Sequence, residues 1–216
     1  MEIEGFLQSL ENIRYYNEFF FRGFVGMKLT DIIITGAGSP AATECLTRKI
    51  YFSHYDLVIN AGICGSFRKE YDPGTVVCID REIWGDLGAE DHKDFLDLFD
   101  LGILKKSEKN FTGIELVNTG NSYSRYFSHL PIVKGITVSK AHGDAESIRK
   151  CMQKYDPDVE SMEGAAVFQV CLSSGLNFQC LRSISNFVES RNKKAWDIGK
   201  ATQNLSVELN RIISAI

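Results

Sequence analysis

Two short apolar runs, Asp31-Ile32-Ile33-Ile34-Thr35 and Asp56-Leu57-Val58-Ile59-Asn60, pass directly into glycine turns, and a helical pattern separates them. Runs this short, with no polar alternation, have the look of strands buried on both faces. The turns are Gly36-Ala37-Gly38-Ser39 and Ala61-Gly62-Ile63-Cys64-Gly65-Ser66. Pro40 opens a helix expected over 40 to about 51, at a position where its missing N–H is harmless. A helical pattern over 2 to about 12 and an aromatic, strand-like run over 15–25 come first. Further strands are expected at 74–83, 114–117, 135–138 and 178–185, with a helix from about 198 to the end. Strands alternating with helices imply an α/β fold with a largely parallel sheet covered on both faces. No repeat or Pro/Ser-rich linker interrupts the chain, so residues 1–216 are expected to form a single domain.

Charge and cysteine usage narrow the partners. A net charge of -4 disfavours a nucleic-acid backbone or an anionic membrane as ligand and favours a small molecule. The six cysteines form no C-x-x-C pair, and His54, His92, His129 and His142 do not cluster; reduced thiols, no metal and no cofactor are expected. The acidic start Met1-Glu2-Ile3-Glu4 is unlike a signal peptide, and no apolar run reaches the roughly 20 residues that span a bilayer. A cytoplasmic location follows as an expectation.

In such folds ligands gather at the carboxyl ends of strands. Both glycine turns could bring backbone N–H groups close to a ligand, although tight turns need glycine for geometry alone. A dinucleotide fingerprint, Gly36-x-Gly38-x-x-Ala41 with Asp56, fails on two counts: the acid begins a strand instead of ending one, and Pro40 sits in the phosphate turn. In Val159-Glu160-Ser161-Met162-Glu163-Gly164-Ala165-Ala166 an extended segment runs into a helix. Glu163 then sits at the helix N-terminus as an ionised acceptor suited to two hydroxyls, or simply complements the dipole. Asn186 ends another strand as an amide with two donors and an acceptor, or as a turn residue. Cys64 reads as a packed thiol. His142 reads as a base or as a structural residue of its glycine turn.

These segments resemble the nucleoside phosphorylase and nucleosidase superfamily along nearly the whole chain. The resemblance rests on Thr35-Gly36-Ala37-Gly38, Val58-Ile59-Asn60-Ala61-Gly62, 159–166 and Arg182-Ser183-Ile184-Ser185-Asn186, in that order. Within the superfamily, Gly85-Asp86-Leu87-Gly88-Ala89-Glu90-Asp91 and 184–192 with Trp196 are most similar to the futalosine hydrolases of the alternative menaquinone pathway. The resemblance implies a three-layer, mixed, largely parallel twisted sheet with helices on both faces. It also implies a hydrolytic nucleosidase, homodimeric and without cofactor, that releases hypoxanthine. Glu163 and Met162 would hold the ribose, and Ile63, Cys64 and Gly65 would form a loop beside the glycosidic bond. In adenine-releasing relatives the residue matching Asn186 is an aspartate; an amide suits a 6-oxopurine instead. The acid that orients water would be Glu2, with Glu4 second, and Arg191 or Arg182 could meet a distal carboxylate. The alternatives are a methylthioadenosine-type nucleosidase, a phosphorylase or a nucleoside-binding protein without turnover. The family's usual first strand precedes that acid, so it is expected to be missing from this chain, and a longer form to be more stable and active.

Overall fold

The structure, a computed structural model, describes residues 4–216. Glu2, and the chain start where the first strand is expected to be missing, lie outside the described residues. The described residues open with α1 (Glu4–Leu7) and an antiparallel meander of β1 (Glu11–Asn17), β2 (Phe20–Val25) and β3 (Lys28–Ile33). Among the described residues the helical pattern over 2–12 is realised as α1 alone, and the aromatic run over 15–25 is a hairpin.

The run 31–35 corrects its reading as a fully buried strand. It supplies β3 of this small separate sheet, and Ile32 is its one buried residue. Ile32, Phe21 and Val25 pack with Leu205 and Leu209. On the opposite face Asp31 accepts hydrogen bonds from Arg22 Nε and Nη2 (2.5 and 2.8 Å) and from Tyr55 Oη (2.8 Å). The alternation of an antiparallel, half-covered sheet wins over the apolar run.

Next come α2 (Ser39–Phe52), β4 (Val58–Ser66), β5 (Val76–Trp84), and the hairpin β6 (Gly88–Asp91) with β7 (Asp94–Asp97). They are followed by β8 (Phe111–Thr112), β9 (Glu115–Val117), β10 (Ile132–Thr137), α3 (Ala145–Tyr155), β11 (Val159–Ser161), α4 (Gly164–Ser174), β12 (Phe178–Phe187) and α5 (Ile198–Ala215). Strand β10 pairs on one side with β11 and on the other with β5, so β10, β11, β4, β12 and β5 close a ring. Three of its five junctions are parallel: β10–β11, β4–β12 and β5–β10. β9 and β8 extend the sheet from β5.

Helices cover both faces, as expected. Ala165, Val167, Phe168 and Cys171 of α4 share a core with Ala42 and Leu46 of α2 and with Cys180 and Ile184 of β12. Leu181, on the alternate face of β12, packs instead with Leu205, Leu209 and Ile212 of α5. Phe168 meets Phe178 edge-on at 4.8 Å, and its complete burial is worth about 2 kcal/mol. Gly175, in the left-handed region at φ 65°, ends α4 by donating to the Cys171 and Leu172 carbonyls.

Candidate active site

The turn between β11 and α4 delivers Glu163. Its side chain does not cap its own helix. It crosses to the start of α2, where Glu163 Oε1 accepts from the backbone N–H of Gly38 (2.8 Å), while Ser39 Oγ donates to the Met162 carbonyl (3.0 Å). Gly38, the residue before α2, has φ 91° and ψ 158°, which glycine tolerates and other residues resist. A carboxylate therefore sits at the N-terminus of a 14-residue helix, where the dipole favours negative charge. The glycine turn that could have served a phosphate holds Glu163.

Behind Glu163 lies a buried charge network. Arg182 of β12 is 1 % exposed; its Nη2 donates to Asn60 Oδ1 (2.7 Å) and stands 3.9 Å from Glu163 Oε2. Burial alone would lower the Arg182 pKa, but the neighbouring thiols and carboxylates outweigh it and hold the guanidinium charged. The second carboxyl is Glu82 of β5, fully buried. Thr137 Oγ1 accepts from the Ala165 N–H (2.7 Å) and donates to Glu82 Oε2 (2.9 Å). Glu82 Oε1 and Arg182 Nε lack hydrogen-bond partners among the described residues.

Burial pushes the Glu82 carboxyl up to about 7; Thr137 and Arg182 oppose the rise and the Glu163 charge adds to it. A carboxyl whose folded pKa lies above its unfolded value of 4.5 keeps its proton only in the folded state across that interval. Stability therefore declines as pH rises from about 4.5 to about 7. Glu82→Gln is expected to remove this slope, gaining about 2 kcal/mol on wild type between pH 5 and pH 8. Urea melts at both pH values check this, and parallel stability changes in the two proteins would refute it.

The other end of the site corrects a second reading. β4 continues through Gly62, Ile63, Cys64 and Gly65, so these residues are strand and not loop. They pair with β12, Ile63 opposite Ser183, Cys64 opposite Ile184 and Gly65 opposite Asn186. Ser185 is the extra residue of a bulge, its Oγ within 3.0 Å of the Cys64 carbonyl and 2.7 Å of Asn186 Oδ1. Bulges re-aim side chains, and this one sets the direction of Asn186. Asn186 Nδ2 donates to the Phe187 carbonyl (2.9 Å), so one of its two N–H groups is committed. Gly65 is required here: a Cβ would meet Val188 Cγ2 at 2.8 Å and Asn186 Nδ2 at 3.3 Å. Arg182 and Asn186 are four residues apart on one strand, which spaces the Glu163 end and the Asn186 end by on the order of 10 Å.

Of the remaining candidates, Cys64 is buried and joins the core, and Met162 is half-buried beside Glu163. Arg191 is exposed, its guanidinium 5.8 Å from the Trp196 ring centroid. The burial of Arg182 removes it as a receptor for a substrate's distal carboxylate. Glu4 is exposed on α1, which packs on α5 with Gly5 against Ser206. Sequence reasoning missed Gly38 as the partner of Glu163 and Asn60 as the partner of Arg182, and missed Glu82 and Thr137 altogether. Their one visible trace is polar residues inside apolar strand runs. Among the described residues no group of His, Cys, Asp and Glu is placed to hold a metal ion, and no helix is long and apolar enough to cross a membrane.

Comparison with known proteins gives the family and the fold. Futalosine hydrolase of Acidothermus cellulolyticus is 32% identical over 180 residues, covering 81% of this chain and 71% of that protein. The 5'-methylthioadenosine/S-adenosylhomocysteine nucleosidase of a Shewanella species is 25% identical over 166 residues, 72% of this chain and 66% of the relative. The structure of futalosine hydrolase from Helicobacter pylori superposes with a TM-score of 0.82 over 100% of this chain and 94% of its own, at 18% identity, a likeness of fold. The phosphorylase superfamily matches residues 1–216. The chain thus belongs to the phosphorylase superfamily, within which its relatives include the futalosine hydrolases.

Proposed function

We propose that this protein hydrolyses the N-glycosidic bond of futalosine and releases hypoxanthine. The observation that carries the reading is the amide of Asn186 at the bulged end of β12, beside Gly65, with the Glu163 carboxylate at the other end of the site. Glu163 accepts from the sugar hydroxyls and opposes the positive charge that grows on the sugar as the bond to the base breaks. The free N–H of Asn186 donates to an acceptor of a 6-oxopurine. Water then adds at C1′. Met162 lines the sugar, Ile63, Cys64 and Gly65 pass beside the bond, and Arg191 meets the substrate's distal group.

Hydrolysis is favoured over phosphorolysis because two basic side chains near the glycine turns in sequence are occupied elsewhere. Arg68 donates to Asp156 and Asp158, each at 2.8 Å, and Lys49 lies over the Phe20 ring, 2.9 Å from its centroid. A homodimer and a cytoplasmic location belong to the same reading; sedimentation equilibrium tests the first.

The decisive experiment incubates the protein with futalosine, inosine or methylthioadenosine and follows free base by chromatography. Hypoxanthine release from futalosine is expected. Adenine release alone would overturn the reading, and tight binding without release would favour a nucleoside-binding protein. Asn186→Asp is expected to raise the preference for methylthioadenosine over futalosine at least about tenfold in kcat/KM, since a buried donor–acceptor mismatch discriminates strongly. An unchanged ratio would separate Asn186 from base selection.

A further inference from the structure

The proposed reaction needs a proton at the departing base, and an amide such as Asn186 can donate a hydrogen bond but cannot give up a proton. An imidazole is held by the neighbouring strand β11. His142, on the loop between β10 and α3, is held at two points by Glu160 of β11. Its backbone N–H donates to Glu160 Oε1 (3.0 Å), and its ring Nδ1 is hydrogen-bonded to Glu160 Oε2. The carboxylate is 6% exposed and the imidazole 17%, with the Phe67 ring edge-on to it. An ionised carboxylate only accepts, so Nδ1 carries its proton and Nε2 is left to exchange one. Register connects this pair to the site. Glu160 lies opposite Gly65 across β11 and β4, and Gly65 lies opposite Asn186 across β4 and β12.

We propose that His142, oriented by Glu160, is the acid that protonates the leaving base; this rests on the hydrolytic reading above. As the bond from C1′ to the base breaks, its electron pair passes to the purine, and the imidazolium Nε2 proton moves to a purine ring nitrogen. Water adds to C1′ and loses a proton to solvent, and solvent returns a proton to the imidazole. The charged and titratable groups on the ring and on its loop come from several elements. Glu160 faces it from β11, Cys151 of α3 feels the Glu160 charge, and Asp86 accepts from the Ser139 and Lys140 N–H groups at 2.5 and 3.3 Å. Arg191 packs against Gly143, its Cβ 3.6 Å from where a Gly143 Cβ would stand.

The test compares wild type with His142→Gln and His142→Asn, two variants so that one misfolded protein leaves the other to read. Turnover of futalosine is followed from about pH 5 to pH 9, the range that spans imidazole titration. The variants are expected to lose about 10²-fold in kcat and to differ from wild type in the shape of the pH profile. A riboside with a nitrophenolate leaving group, which departs without a proton, should be cleaved by wild type and variants within about threefold of each other. An unchanged kcat and pH profile on futalosine, or equal losses on both substrates, would overturn the proposal while leaving the hydrolytic reading intact. Wild type that releases no base from any purine nucleoside would overturn both.

Discussion

Glu163→Gln is expected to lower kcat/KM for futalosine hydrolysis by about 10³-fold, the scale on which a charge-stabilising group acts in a closed site. The amide keeps the shape of the carboxylate, and its oxygen can still accept from the Gly38 N–H, so the backbone of the β11–α4 turn should hold. Lost are the negative charge facing the sugar and one strong acceptor for its hydroxyls. The new NH₂ group is also set toward Arg182, where the carboxylate oxygen stands 3.9 Å from Nη2. Donor facing donor adds to the penalty. The loss should fall chiefly on kcat, because the charge matters most once the oxocarbenium character has developed. Steady-state kinetics with futalosine, alongside thermal melts to confirm folding, provide the measurement. Activity within tenfold of wild type would show that Glu163 is not the sugar acceptor.

Gly164→Ala is expected to cost about 4 kcal/mol of stability, at the high end for a single methyl. The position is the first of α4, where alanine would ordinarily help by about 1 kcal/mol. Here the added Cβ would lie 1.9 Å from Glu82 Oε1 and 2.5 Å from its Cδ. Glu82 has nowhere to retreat, since a Gly135 Cβ on its other flank would come within 2.4 Å of the same oxygen. The buried carboxyl is thus gripped between two glycines. A double-mutant cycle isolates that grip: in a Glu82→Ala background the Gly164→Ala cost should shrink to about 1 kcal/mol or less. Additive effects in urea unfolding would refute the steric account.

Glu163 could be found in the sequence because the apolar spacing changes from extended to helical at the residue itself. Asn186 was similarly visible at the end of an apolar run. What stayed hidden depends on pairings between distant segments. The Gly38–Glu163 hydrogen bond joins residues 125 apart, and nothing local distinguishes it from a ligand-binding turn. Gly62 and Gly65 read as loop residues because glycine usually punctuates strands, yet both lie within β4, and Gly65 is needed there so that Asn186 and Val188 can approach. Closure of the ring was equally illegible, because the double pairing of β10 is a matter of register and not of composition. The isoleucine run 32–34 misled in the opposite direction, looking more buried than a half-covered sheet makes it.

Because the ring closes through strands that include residues 178–187, its assembly has a timetable. During synthesis β4 and β5 leave the ribosome long before β12, the strand that lies between them, exists. Until then their edges leave backbone N–H and C=O groups without a native partner on that side, the condition in which nascent chains misassociate. Contacts this distant also carry a large loop-closure cost, which makes a slow folding step the expectation for this molecule.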